Sequence, residues 1–568
     1  MRAGAAKVKA ARSPGGVRPG PTAWVWLAAV PCIAVAAWLA GRGLGEPGLY
    51  YDEVIQARPA LEFIHGDDVP LRVPGERAVR VLGYWLPWMT QAYMGALKSQ
   101  LLIPVFALAE PDAALLRGTT LAWALLGIPL VMLFANRALG LPVAVLTGAL
   151  LAVDPSLLFI ARHDWGSFSL GFLLRGGALV LVQRGWLGGS RWTIAAGGVC
   201  AGLGVYNKID FGVWVAAAGI AVLIAAPREV AGAFARRRGL VAAFAGGAIL
   251  GAAPLAMAGG NVLGAAGAFA RAAEPASEWP EKLAVLPHVL DGSYFQRLML
   301  VGGRFDAIDR AAGATSGVGF AVFAGAALAL AALLAWGRRP RAAGDRAAVF
   351  VLATALLALV GILATPGAVR VHHFLNAYPF PQLTIASAAA LLWTRTAGSA
   401  RLAARGLAVA LVGAALVSAV RLDVATLRTL RDTGGHGLWS HAVEELARRL
   451  PAGARVVSLD WGIDGPLRFV APGIAAEEPM WRLRAASAAR RAARLEGTPD
   501  HVYVVFEPAW AVFPFGAALL DAIAGLPAGT ARVERHTDRE GTPVLHTVRF
   551  ATDHALVYRG GRFEVERK

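Results

Sequence analysis

Residues 81–108 read VLGYWLPWMTQAYMGALKSQLLIPVFAL. Whether this stretch crosses a membrane sets the topology of everything after it. It is strongly apolar, but Lys98 and Gln100 interrupt it. A hydrocarbon core of about 30 Å needs about 20 apolar residues at about 1.5 Å rise each. Residues 81–108 are therefore read as one or two helices lying along the interface, not as a span. About eleven other runs read as spans. They lie near 24–41, 114–135, 141–160, 166–183, 192–207, 211–226, 239–258, 318–336, 347–364, 374–393 and 402–420, with 192–207 the shortest and rich in Gly.

Charge tests that choice. The chain has 568 residues and a formal net charge of +17, with 56% hydrophobic and only 16% charged residues. Such a composition excludes a disordered chain and argues against an ordinary soluble enzyme. If eleven spans alternate from an inside N-terminus, the inside segments hold about 19 basic residues against Glu229 and Asp345, or about +17. The remainder of residues 1–421 sums to about −1, and residues 422–568 are nearly balanced. The whole excess is thus loop charge of one face, as the positive-inside rule expects, and nucleic acid is not an expected partner. Counting 81–108 as a span would destroy that asymmetry.

The layout expected is an all-α polytopic membrane bundle of about eleven transmembrane helices. A basic cytoplasmic stretch, 1–23, precedes a membrane region, 24–421, with long outer loops at 42–113 and 259–317. The basic start followed by an apolar run also fits a signal peptide; a retained first span is preferred, because no convincing cleavage site precedes Tyr50. Residues 422–568 read as a small extracytoplasmic α/β domain. They run through helix-like HAVEELARRL, strand-like RVVSLDW, a basic helix-like 481–495 and strand-like HVYVVFE. The expected location is a bacterial-type inner membrane. Cys32 and Cys200 both fall in apolar runs and read as small hydrophobes.

The spans are nearly free of ionisable groups, and polar residues gather at their outer ends. A transporter keeps such groups near the midplane, whereas an enzyme acting at the outer surface keeps them at the rim. Arg175 is the exception, read either as snorkelling to the inner interface or as a buried partner of an acid. Asp52 and Glu53 open the first outer loop, and as neighbours they cannot both face one reacting atom. Asp67 and Asp68 read as turn residues. Asp154 precedes Pro155 and reads as a helix end or kink; Arg162, His163 and Asp164 follow at the next rim, where Arg162 and Asp164 also fit an ordinary ion pair. Lys208 then ends a Gly-rich run, and Arg370, His372 and His373 precede Tyr378. Cations and imidazoles gathered on one face suit a phosphate.

In this order the segments YYDEVIQARPALEFIHG, YMGALKSQLLIPVFALAEPDAALLR, FIARHDWGSFSLGFLL, GGVCAGLGVYNKIDFGVW and RVHHFLNAYPFPQL resemble the GT-C membrane glycosyltransferases, in particular the protein-mannosyltransferase-like group of glycosyltransferase family 39 and its relatives. The resemblance spans about residues 24–420. The paired His of the late segment and residues 422–568 depart from that pattern.

The resemblance implies transfer of a sugar from a polyprenyl-phosphate donor to a protein, lipid A or other envelope glycan outside the membrane. Asp52 is then the expected base, Glu53 orients the acceptor, and Asp164 positions sugar or acceptor. Lys208, Arg370, His372 and His373 are expected on the donor phosphate, with Arg162, His163, Lys98 and Tyr378 as further substrate contacts. Relatives differ in whether they use a divalent metal, and no ligand spacing in this chain decides it. A flippase of lipid-linked sugars, and a polyprenyl-diphosphate-dependent polymerase or ligase, are the alternative readings. The basic segment Arg482, Arg484, Arg490, Arg491 and Arg494 reads as a solvated helix face or as an anionic-glycan groove.

Overall fold

The computed structural model describes residues 20–66, 75–258, 275–336 and 343–567. Asp67 and Asp68 lie outside the described residues. Among the described residues, six helices are long and apolar enough to cross a membrane: Thr22–Ala40, Ala113–Leu139, Arg238–Ala258, Gly319–Trp336, Ala343–Ala364 and Ala400–Thr433. Two bent pairs raise the number to eight if each is one span: Leu141–Ala152 with Pro155–His163, bent by 57°, and Phe211–Ala225 with Pro227–Arg236, bent by 101°. The chain is a multi-pass membrane protein; among the described residues, fewer helices than the eleven expected are long and apolar enough to span.

The difference has physical causes. Helices occupy the three other runs, Phe168–Gly188, Arg191–Asn207 and Phe380–Arg395. The latter two have 17 and 16 residues, or about 25 Å of rise, less than the hydrocarbon core. The first carries Arg175, Gln183 and Arg184. Residues 81–108 are corrected more deeply. Arg77–Val81 and Tyr84–Gln91 form an antiparallel hairpin, Met94–Gly95 adds to it, and only Leu97–Leu108 is helical. Leu82 and Gly83 both have positive φ, 51° and 91°, the geometry that matches a two-residue turn to strand twist. The helix that follows has 12 residues, too short to span.

Side-chain caps and small residues shape the bundle. Asp112 accepts from Leu115 N at 2.7 Å, and Asp154, just before Pro155, accepts from Leu157 N at 2.9 Å. Asp154 Oδ2 also takes Gln382 Nε2 at 2.6 Å, which ties the bend to a neighbouring helix. Arg191–Asn207 and Arg238–Ala252 meet along glycines. A Cβ on Gly202 would sit 2.1 Å from Ala248 O, and one on Gly247 2.1 Å from Ala195 O. Such close backbone approach is the small-residue packing of membrane helices.

Arg175 does not snorkel, and its hydrogen bonds go to carbonyl and amide oxygens rather than to a carboxylate. It is buried and donates to Tyr378 O at 2.5 Å, Leu375 O at 3.3 Å and Asn376 Oδ1 at 3.0 Å, with its guanidinium 5.1 Å from the Phe211 ring centroid. It thereby braces the segment that leads out of the His372–His373 turn.

Ala400–Thr433 continues about three turns beyond residue 421 into the C-terminal region. There a five-stranded sheet runs in the order Ala475–Glu477, Arg455–Ser458, His501–Phe506, Pro543–Phe550, Ala531–Thr537. Its first three strands are parallel and the last two antiparallel additions. A three-stranded antiparallel sheet joins Arg562–Arg567, His554–Arg559 and Ala493–Gly497. The basic segment expected as a helix over 481–495 divides. Its helix ends at Ala488, Arg490 turns with φ 53°, and Ala493–Gly497 is a strand. The alternation of Ala493, Leu495 and Gly497, buried, with Arg494 and Glu496, exposed, is the strand period.

Candidate active site

The first outer loop is gripped from both sides. Residues 44–53 wrap round the buried Arg117 guanidinium. It donates to Leu44 O (2.9 Å), Pro47 O (2.7 Å) and Gly48 O (3.2 Å), and takes Glu53 through Nε–Oε2 (2.9 Å) and Nη2–Oε1 (2.6 Å). Glu53 also accepts from Tyr50 N at 2.7 Å. Burial alone would raise its pKa, but Arg117 and His163 outweigh that and bring it to about 2. Arg162 performs a similar service, with its guanidinium on the carbonyls of Arg42, Gly43 and Glu46. It does not pair with Asp164. His163 is buried, stacked on Phe295 at 4.9 Å, with Nδ1 3.7 Å from Glu53.

The C-terminal region closes the other side. Glu46 pairs with His441 (2.6 Å) and Arg539 (2.5 Å), Leu49 N donates to Glu444 (2.7 Å), and the Tyr50 ring stacks on Trp439 at 4.3 Å. Trp461 packs on Tyr51 at 4.7 Å.

With its neighbour so engaged, Asp52 is left at the edge of the cluster, half-buried. One oxygen, Oδ2, accepts from Trp165 Nε1 at 2.6 Å. Burial lifts its pKa to about 6, against the lowering effects of that bond and of Lys208, Arg370 and Lys98. Trp165 reaches it because the chain turns through three left-handed residues, Asp164 (φ 43°), Gly166 (72°) and Ser167 (58°). Such conformations cost a non-glycine residue of order 1 kcal/mol. Gly166 is required on space as well, since a Cβ there would lie 2.8 Å from His372 and 3.0 Å from Lys208 Nζ.

Asp164 accepts from Ser169 N at 2.8 Å and forms a buried ion pair with Lys98 at 2.9 Å. Lys98 Nζ also reaches Glu53 O at 3.3 Å. Lys208 lies 3.0 Å from Asp210, whose carboxylate meets His373 Nδ1 at 2.7 Å. Burial would raise Asp210, but Lys208 and His373 hold it well below the usual carboxylate range. Burial and the Lys208 charge push His373 to about 4 and His372 well below its ordinary value. Both imidazoles are therefore neutral at pH 7. The His372 ring lies 5.5 Å from Trp165. Arg370 pairs with Glu281 at 2.8 Å and lies 3.9 Å from the Phe305 ring centroid.

The structure thus gathers Asp52, Lys98, Asp164, Lys208, Arg370, His372 and His373 around one site. Tyr378 stands apart, buried with its hydroxyl on Val289 O at 3.3 Å. Residues without a role in the sequence reading also join: Trp165, Arg117, Asp210, Tyr93, which interacts electrostatically with Asp52 and Asp210, and the aromatic wall Trp439 and Trp461. Arg117 and Asp210 sit inside the segments that carried the resemblance, so their position was visible there. Among the described residues, no three His, Cys, Asp or Glu side chains converge as a metal site.

No protein-family profile matches the chain, and no curated protein matches it in sequence. Solved structures do. ArnT from Cupriavidus metallidurans bound to undecaprenyl phosphate matches with TM-score 0.52 and 15% identity, over 93% of this chain and 98% of ArnT. The apo state of that protein matches with the same values. The arabinofuranosyltransferase AftD from Mycobacteria is a looser likeness, TM-score 0.46 and 15% identity, over 94% of this chain and 42% of AftD. The chain therefore has the fold seen in ArnT, a GT-C membrane glycosyltransferase.

Proposed function

We propose that the protein is a glycosyltransferase that moves a sugar from a polyprenyl-phosphate donor to an acceptor on the outer face of a bacterial-type inner membrane, with its basic loops cytoplasmic. The observation that carries this reading is Asp52: a half-buried carboxylate pinned by Trp165, raised to about 6, with Lys208, Arg370 and Lys98 near enough to influence it. A base of that pKa is ionised at neutral pH yet able to hold a proton. The undecaprenyl phosphate bound in ArnT, the fold neighbour, supports a polyprenyl-phosphate ligand.

In the reaction, the acceptor hydroxyl gives its proton to Asp52 as its oxygen attacks the anomeric carbon. The bond from that carbon to the phosphate oxygen breaks, and the charge develops on the departing phosphate. Lys208 and Arg370 stabilise that charge. His372 and His373, being neutral, contribute hydrogen bonds and shape. Glu53, held by Arg117, positions the Asp52 turn. The Lys98–Asp164 pair ties the turn that carries Trp165 to the backbone of Glu53. A well-placed base contributes about 10²–10⁴ in rate.

The test compares membranes holding the wild type or Asp52→Asn, supplied with radiolabelled polyprenyl-phosphate sugars. Label should pass to a glycan, lipid or protein fraction with the wild type only, at equal protein level. Equal transfer by both removes Asp52 as the base. Movement of lipid-linked sugar across the membrane without transfer would replace the enzyme reading by a flippase.

A further inference from the structure

At the end of the bundle away from Asp52, the helices leave an apolar cavity of about 1030 Å³. Its walls come from Leu141–Ala152, Phe380–Arg395 and Ala400–Thr433, with Val143, Leu146, Ala390, Leu391, Val412 and Gly413 among them. Phe380–Arg395 starts beside the His372–His373 turn and ends at this cavity. The first lining residue on that helix is Ser387, about 10 Å of rise beyond Phe380, and no residue of the candidate site lines the cavity. The cavity is therefore distinct from the proposed transfer site. It lies at the basic end of the bundle, where Arg137, Arg346, Arg395, Arg401 and Arg405 are found.

Two observations point to a ligand with a charged head. Arg405 stands over the Trp393 ring at 4.7 Å, and its buried Nε has no hydrogen-bond partner. The neighbouring Arg395, by contrast, is neutralised by Asp345. Inside the cavity the Ser387 hydroxyl is buried and also lacks a partner. An apolar slot with an uncompensated guanidinium near its mouth complements an apolar chain joined to an anion.

We propose that this cavity holds an anionic phospholipid of the adjacent leaflet, with an acyl chain between the helices and the phosphate near Arg405. Charge complementarity selects the occupant: a zwitterionic lipid gives Arg405 no net charge to meet. A retained lipid there fills a void between Phe380–Arg395 and Ala400–Thr433, the two helices that lead to the His372–His373 turn and to the C-terminal region.

The experiment incorporates the full chain into nanodiscs of equal phosphatidylglycerol and phosphatidylcholine and identifies the lipid retained by native mass spectrometry. The wild type should retain phosphatidylglycerol with a preference of about fivefold, the ratio one basic side chain gives toward an anionic headgroup. Gly413→Phe should abolish retention. A Cβ at Gly413 meets nothing within 4 Å, so the ring enters the cavity without displacing backbone. If that variant does not accumulate, Gly413→Leu serves the same purpose. Arg405→Gln should keep the lipid but lose the preference. No preference in the wild type, unchanged retention in the filled variant, or a retained polyprenyl phosphate would each overturn the proposal. The readout is lipid retention, so failure of sugar transfer leaves it standing or falling on its own.

Discussion

Replacing Trp165 with Phe tests the assignment of Asp52 directly. The ring is kept, and what is lost is one N–H that donates to Asp52 Oδ2 at 2.6 Å. A hydrogen bond to a charged group contributes about 1.5–3 kcal/mol. That bond stabilises the ionised carboxylate, so its loss raises the Asp52 pKa. At about 1.4 kcal/mol per unit the rise is about 1–2 units, from about 6 to about 7–8. The ionised fraction at pH 7 then falls from about 0.9 to between about 0.5 and 0.1. The assay is transfer from a radiolabelled polyprenyl-phosphate sugar measured from pH 5 to 9. The acidic limb of kcat/KM should move up by about 1–2 units, with most of the rate recovered at pH 9. A limb that stays in place, or a uniform loss at every pH, refutes the idea that Trp165 acts through Asp52 ionisation. A merely structural defect would lower the rate without moving the limb.

Arg117→Met leaves Glu53 charged and unpaired in a buried position, and should cost about 3–5 kcal/mol, read as a lower unfolding temperature in detergent. Adding Glu53→Gln should recover part of that loss, which a simple packing defect would not permit. The pairing of Glu46 with His441 should be pH-dependent. Burial lowers the His441 pKa, but Glu444 and Glu46 more than reverse this, so it stands above the ordinary value. Its stabilisation is complete below about 6.5 and lost as pH rises through the raised value. His441→Ala should therefore destabilise the protein by about 1 kcal/mol at pH 6 and by clearly less at pH 9; an equal effect at both values rejects the pairing. Gly202→Leu forces a side chain into the Ala248 carbonyl and should cost about 3 kcal/mol or more, seen as loss of monodisperse protein on extraction.

The convergence of the polar residues was legible because charge at a span end is conspicuous. Asp52, Asp164, Lys208 and the Arg370–His373 segment stand out against flanking apolar runs and do converge. The division of labour between Asp52 and Glu53 was not legible. Adjacent carboxylates look alike in sequence, and it is the Arg117 guanidinium, 64 positions away from Glu53, that marks Glu53 as the ion-paired one and leaves Asp52 to Trp165. The state of the two histidines was equally hidden, since it follows from burial beside Lys208. The strand Tyr84–Gln91 takes the place of the helix expected at the start of 81–108, because apolar content does not distinguish the two and the Leu82–Gly83 turn does.

Sequence by itself determined the membrane class, because apolar length is summed locally along the chain. It also located three elements of the C-terminal region, since helix and strand periods are local properties. Tertiary structure alone decided how many helices reach full span length, which of the two carboxylates Arg117 engages, and which aromatic residues pack beside them. It also placed Trp439 and Trp461 of the C-terminal region against Tyr50 and Tyr51. Those outcomes depend on contacts between residues from 64 to about 400 positions apart, and an ionisable group takes its character from what packs around it.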